Sequence, residues 1–188
     1  HTLAMGGADR SVRLIDVWTG DEQVLRGHQD KVWAVAFSPD ARWVASGAWS
    51  GEIRLWDRSG GEPRVLAGHT AAVRDLAFSP DGRLLASSSY DGSVRLWPLE
   101  TPGETTVLEA DGESLRGLAF HPDGSELACG SRVGTIRRWP LDRPGGPERL
   151  VGHERSVRAA AHTPAGRLLA TASTDGYVRD AHVARVHV

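Results

Sequence analysis

Apolar residues in this chain come in short runs, not long stripes, and Gly, Pro, Ser and Asp cut the runs apart. Runs of this kind, rich in Val, Ile, Leu, Phe and Ala, mark β-strands. Within residues 26–66 they predict strands at Val32 to Phe37, Trp43 to Ala48, Glu52 to Trp56 and Arg64 to Leu66. Apolar and polar positions alternate only loosely, as expected of strands covered on both faces. No longer window shows the spacing of a helical apolar face, so the fold is expected to be all-β.

The pattern then recurs in phase. Gly-His occurs at Gly27-His28, Gly68-His69 and Gly152-His153, and Asp111 fills the slot of a fourth histidine, 42 residues after His69. A turn follows in each period: Ser38-Pro39-Asp40-Ala41, Ser79-Pro80-Asp81-Gly82, His121-Pro122-Asp123-Gly124 and Thr163-Pro164-Ala165-Gly166. Proline presets the first corner and glycine accepts the left-handed geometry that closes the turn. Ala41 should be less comfortable there, by about 1–2 kcal/mol. Strands ending in tryptophan complete the period, at Ile53 to Trp56, Val94 to Trp97 and Ile136 to Trp139.

Ordered markers at this spacing resemble the WD-repeat family, whose unit of about 40–45 residues folds as one four-stranded blade of a β-propeller. The resemblance covers nearly the whole chain. It implies a partial blade at 1–25, with Ile15-Asp16 in place of Trp-Asp. Repeats follow at 26–66, 67–108, 109–150 and 151–188, the last with Ala181 where tryptophan is due and His162 where the others carry Phe37, Phe78 and Phe120. Some four and a half repeats imply an incomplete, open ring or a piece of a larger propeller. The first residue is His1, not Met, which also suggests a piece or a processed chain.

The resemblance also assigns the histidines. In the family the Gly-His histidine bonds a buried turn aspartate, and the network runs through Ser or Thr to the indole N–H. Here one repeat is complete, with His69, Ser87, Asp91 and Trp97. The repeat before it has His28, Ser46 and Trp56, but Ser50 in place of the aspartate. The 109–150 repeat keeps only Trp139, with Asp111, Cys129 and Val133 in the other slots. The last repeat keeps His153, Thr171 and Asp175 without the indole. A metal is not expected, because the spacing puts each histidine in a different blade.

Composition narrows the rest. The formal net charge of −2 gives no bulk attraction to nucleic acid or anionic membranes. No run approaches the roughly 18 apolar residues of a membrane helix. The single cysteine, Cys129, forbids an intrachain disulfide and fits a reducing, cytoplasmic setting. No nucleophile elbow, phosphate-binding loop or zinc motif occurs, and neither a catalytic set nor a cofactor is expected. Arg13, Arg54, Arg95, Arg137 and Arg179 share one slot in every repeat, which suits a blade-stabilising role.

Slots that change between repeats point instead to a partner. In the family, contacts concentrate near the start of the inner strand and just before the turn aspartate. The first of these slots holds Trp33, Arg74, Arg116 and Arg158; the second holds Trp49, Tyr90, Arg132 and Thr174. Aromatic residues and arginine are enriched at binding hot spots. The expected function is a non-catalytic scaffold whose face (Trp33, Trp49, Arg74, Tyr90, Arg116, Arg132, Arg158) binds a protein or peptide segment, acidic or phosphorylated, in preference to nucleic acid. The alternative is a regulatory or recruiting domain of a larger enzyme. Open blade edges also suggest self-association.

Overall fold

The computed structural model describes residues 1–100 and 104–182; residues 101–103 and 183–188 of the expected repeats, and the Ala181 side chain, lie outside the described residues. Every regular element described is a strand, and the strands form five antiparallel sheets. The first contains β1 (Thr2–Gly6), β2 (Ser11–Asp16) and β3 (Glu22–Arg26). The second contains β4 (Val32–Phe37), β5 (Trp43–Ala48), β6 (Ile53–Asp57) and β7 (Arg64–Leu66). The third runs β8 (Val73–Phe78), β9 (Leu84–Ser89), β10 (Ser93–Pro98) and β11 (Thr106–Glu109). The fourth runs β12 (Leu115–Phe120), β13 (Glu126–Ser131), β14 (Thr135–Pro140) and β15 (Glu148–Val151), and the fifth β16 (Val157–His162), β17 (Leu168–Ser173) and β18 (Val178–His182).

Turn chemistry sets these limits. Ser38 Oγ bonds the Asp40 carboxylate at 2.5 Å and accepts the Trp43 N–H at 2.9 Å, closing the β4–β5 hairpin. Ser79 repeats this arrangement between β8 and β9. The closing corner is left-handed in all four turns, at φ 56° for Ala41, 73° for Gly82, 77° for Gly124 and 68° for Gly166. Ala41 thus adopts the geometry that costs it about 1–2 kcal/mol.

Sheets stack through their first strands. β4 packs on β8, β8 on β12 and β12 on β16, while β1 packs on β4. Those strands therefore line the inside of an arc, and β7, β11 and β15 lie on its rim. Core clusters bridge neighbouring sheets: Ile53, Leu55, Val73, Leu76 and Leu85 form one, and Val94, Leu96, Leu115, Leu127 and Trp139 the next. Among the described residues, the second, third and fourth sheets are four-stranded antiparallel blades and the first and fifth hold three strands each, the architecture of an open propeller fragment.

Candidate functional site

Each of the inner strands β4, β8, β12 and β16 carries a bulge near its start. The pairing register slips between Val32 and Ala34, Val73 and Asp75, Leu115 and Leu118, and Val157 and Ala159. The slips fall at Trp33, Arg74, Arg116 and Arg158, and a bulge takes its residue out of the in–out alternation of the strand. A second tie places the other slot beside the first. The backbone N–H of Trp49 donates to Lys31 O at 2.9 Å, that of Tyr90 to Ala72 O at 3.0 Å, that of Arg132 to Ser114 O at 2.8 Å, and that of Thr174 to Ser156 O at 3.0 Å. All eight residues therefore sit at the same end of their sheets, on the upper face, away from the Pro-containing turns.

Five of the seven face residues are in mutual contact. Trp33 and Trp49 lie 5.3 Å apart between ring centres, and Trp49 meets Tyr90 edge-on at 6.2 Å. The Arg74 guanidinium stacks 4.1 Å above the Trp33 ring and lies 5.1 Å from Tyr90; Arg116 lies 5.1 Å from the same Tyr90 ring. Trp33 and Trp49 remain 48% and 46% exposed, so they are not simply packed between blades, whereas Arg116 is only 9% exposed. Arg132 and Arg158 are exposed and touch none of the rings, but their charge reaches Arg116. Burial, reinforced by the charges of Arg158, Arg74 and Arg132 and opposed by Tyr90, pushes Arg116 below the usual arginine range.

A pin from the neighbouring blade holds this cluster. The Asp75 carboxylate accepts the Leu118 N–H at 2.8 Å and the Leu76 N–H at 2.9 Å, and Ser88 Oγ donates to the Arg116 carbonyl. Burial raises the Asp75 carboxyl above its usual range against the pull of those two amides. Sequence reasoning missed Asp75. Its only signal is an acid in an apolar strand, and its main partner lies 43 residues away in the next sheet.

Beneath the face, the histidines are tied into the blades. His69 Nδ1 lies 2.8 Å from Asp91 and Nε2 2.7 Å from Ser87 Oγ, which accepts the Trp97 indole N–H at 2.8 Å. A neutral ring fits this chain: Nδ1–H donates to the carboxylate, the Ser87 hydroxyl donates to Nε2, and the hydroxyl oxygen receives the indole. Burial holds His69 below the usual imidazole range despite Asp91. Asp91 is pulled up by burial but held below its usual range by Ser93, His69 and the Thr70 N–H. His153 makes the corresponding contacts to Asp175 at 2.8 Å and Thr171 at 3.0 Å.

The other two repeats fill the network differently. His28 Nε2 meets Ser46 at 2.7 Å, and Ser46 accepts the Trp56 indole at 2.7 Å. Glu52, two residues after Ser50, places Oε1 3.0 Å from His28 Nδ1. In the 109–150 repeat Asp111 is not merely a lost histidine. Arg137, 2% exposed, pairs with Asp111 at 3.0 Å and Glu113 at 2.7 Å. A Cβ on Gly68 would lie 2.7 Å from the Arg95 guanidinium and 3.2 Å from the Trp97 ring, whereas one on Gly152 would lie 3.6 Å from Arg179.

The match to known proteins agrees with this geometry. A family model, WD domain, G-beta repeat, matches residues 21–57, 60–98, 104–139 and 147–179. The chain belongs to the WD-repeat family. WD-repeat domains generally mediate protein–protein interaction and are typically non-catalytic. In this WD-repeat chain the described residues contain no group of three or more His, Cys, Asp or Glu side chains suited to a metal ion.

Proposed function

We propose that this WD-repeat chain is a non-catalytic scaffold that binds an acidic or phosphorylated protein segment on its upper face. The observation that carries the reading is the charge of that face. Arg74, Arg116, Arg132 and Arg158 converge on it, and among the described residues none has a carboxylate within ion-pair distance. A concentrated positive field on a chain of net charge −2 steers acidic partners and speeds their encounter. Trp33 and Trp49 add exposed aromatic surface of the kind that dominates hot spots.

Capture of partners by the wild-type chain and by Arg74→Glu/Arg116→Glu tests this. The variant should lose them, and the wild-type interaction should weaken as salt rises. Equal capture with equal salt dependence would place the binding surface elsewhere. We further propose self-association through the ends of the arc, because among the described residues β1 pairs with β2 alone. Sedimentation velocity over a concentration series should show growing oligomers, and a constant monomer would refute it.

A further inference from the structure

The joint between the fourth and fifth sheets is built unlike the two before it. Between the second and third sheets the facing slots hold Leu55 and Phe78, and between the third and fourth they hold Leu96 and Phe120. The same slots of the last joint hold Arg138 and His162, and its core keeps Ala119, Ala128, Ile136, Val157 and Leu169. His121, where the earlier turns carry Ser38 and Ser79, brings a second imidazole edge-on to His162, 5.2 Å away between ring centres. An open cavity of about 440 Å³, bordered by His121, Asp123, Pro164 and Arg167, lets solvent reach the lower edge of this joint.

His121 is tied down on both sides. Nδ1 lies 2.5 Å from the Asp123 carboxylate, and Nε2 lies 3.0 Å from the Gly166 carbonyl, across the joint in the turn of the fifth sheet. Both are acceptors, and the Asp123 N–H that also points at Nδ1 is a distant 3.4 Å away. A ring protonated on both nitrogens fits this setting. His162 has no such outlet: among the described residues, neither of its buried ring nitrogens meets a hydrogen-bond partner. The charged groups around it are two cations and an acid already engaged. His121 follows β12 and Arg138 lies on β14, while Glu126 of β13 gives its two oxygens to Arg138 at 2.8 and 2.6 Å. Glu148 of β15 adds a contact to the same guanidinium at 3.3 Å. β17, the hairpin partner of His162, has no titratable side chain, and Arg167 in the turn before it is exposed. Burial, then the charge of His121, hold the His162 ring below the usual imidazole range, with Arg138 adding to them and Glu126 opposing.

We propose that His121 and His162 form an acid-operated latch: His162 is neutral while the joint is closed, takes up a proton in mild acid, and thereby parts the fifth sheet from the fourth. The new cation stands beside His121 and meets no acceptor in the closed joint, whereas in the open one it reaches water. Linkage therefore favours the open form as pH falls below about 6.5, the ordinary imidazole value, and the closed form above it. Opening also carries Arg158 of β16 away from Arg116 of β12 at the upper end of the same strands.

Hydrogen exchange of the whole chain, read by mass spectrometry with labelling times scaled for the intrinsic pH dependence of amide exchange, separates the latch from general acid destabilisation. Between about pH 7.5 and 5.5, protection in β16 and β17 should fall at least about threefold while β5 and β9 keep theirs. His162→Phe puts in the slot the residue type of Phe37, Phe78 and Phe120, and should abolish the fall. His121→Ser, the residue type of Ser38 and Ser79, removes the neighbouring imidazole and should shrink the fall, whatever it does to protection at the higher pH. No fall in β16 and β17, an equal fall in every sheet, or a fall that persists in His162→Phe would overturn the latch.

Discussion

The third and fourth sheets have the same strand order and matching turns, yet they satisfy their interiors by different chemistry. The third relies on a neutral relay from Asp91 through His69 and Ser87 to the Trp97 indole. The fourth has Cys129 in the hydroxyl slot and Asp111 in the histidine slot, and it buries Arg137 against Asp111 and Glu113. Both keep a buried tryptophan, Trp97 and Trp139, in the same place in the core. The blade therefore requires apolar packing and a satisfied interior, not one fixed set of polar residues. Neutral relays lose little if their members stay paired, whereas a buried ion with one partner removed is left uncompensated.

That difference ranks the expected effects of breaking each arrangement. Glu113→Ala leaves the buried Arg137 only the exposed Asp111, and should cost about 3 kcal/mol in denaturant titration. Asp91→Ala leaves His69 Nδ1 only the long 3.4 Å contact to Ser93 Oγ, unpairs the Thr70 amide and should cost about 2 kcal/mol in the same measurement. The second sheet sharpens the comparison, because its acid is displaced by two positions. Glu52→Ala should cost about 1 kcal/mol. Ser50→Ala should stay within about 0.5 kcal/mol. Equal losses at Ser50 and Glu52 would remove Glu52 from the network.

The smallest effect is a pH dependence. Burial lowers the pKa of His28, His69 and His162; Glu52 and Asp91 oppose it at the first two, and His121 reinforces it at the third. Each folded ring then binds its proton less readily than the unfolded chain does. The stability it contributes is complete above about pH 6.5 and is lost as pH falls through that value. The depressed carboxylates Asp91 and Glu52 add their loss only at lower pH, below about 4. Among the described residues, both ring nitrogens of His162 are buried without a hydrogen-bond partner. His162→Phe, the residue type at Phe37, Phe78 and Phe120, should therefore flatten the decline between about pH 7 and 5. An unchanged slope would exonerate His162.

Strand limits, turns and repeat phase were legible in the sequence because they are local. Pro at one corner and a left-handed residue at another fix a hairpin wherever they occur, and even Ala41 obeys, at φ 56°. The complete relay was legible only through the resemblance to the WD-repeat family, which assigns His69, Ser87, Asp91 and Trp97 their places. Glu52 was not, because a long side chain reaches His28 from outside the expected slot. Asp75 and the Arg137 triad depend on contacts between blades or across a repeat, which no local pattern encodes. The face residues were visible one by one as variable slots. Their convergence depends on the bulges at the start of β4, β8, β12 and β16, and those arise only from strand pairing.

Two charge reversals of equal size would test most directly whether binding belongs to the upper face. Arg74→Glu/Arg116→Glu changes that face, and Arg42→Glu/Arg83→Glu changes the exposed turns at the opposite end of the sheets by the same amount. Affinity for a captured partner is measured for both variants at low and moderate salt. The upper-face variant should lose binding and its salt dependence, while the lower-face variant should keep both nearly intact. Equal weakening by the two would mean that only net charge matters, and loss confined to the lower-face variant would contradict the assignment outright.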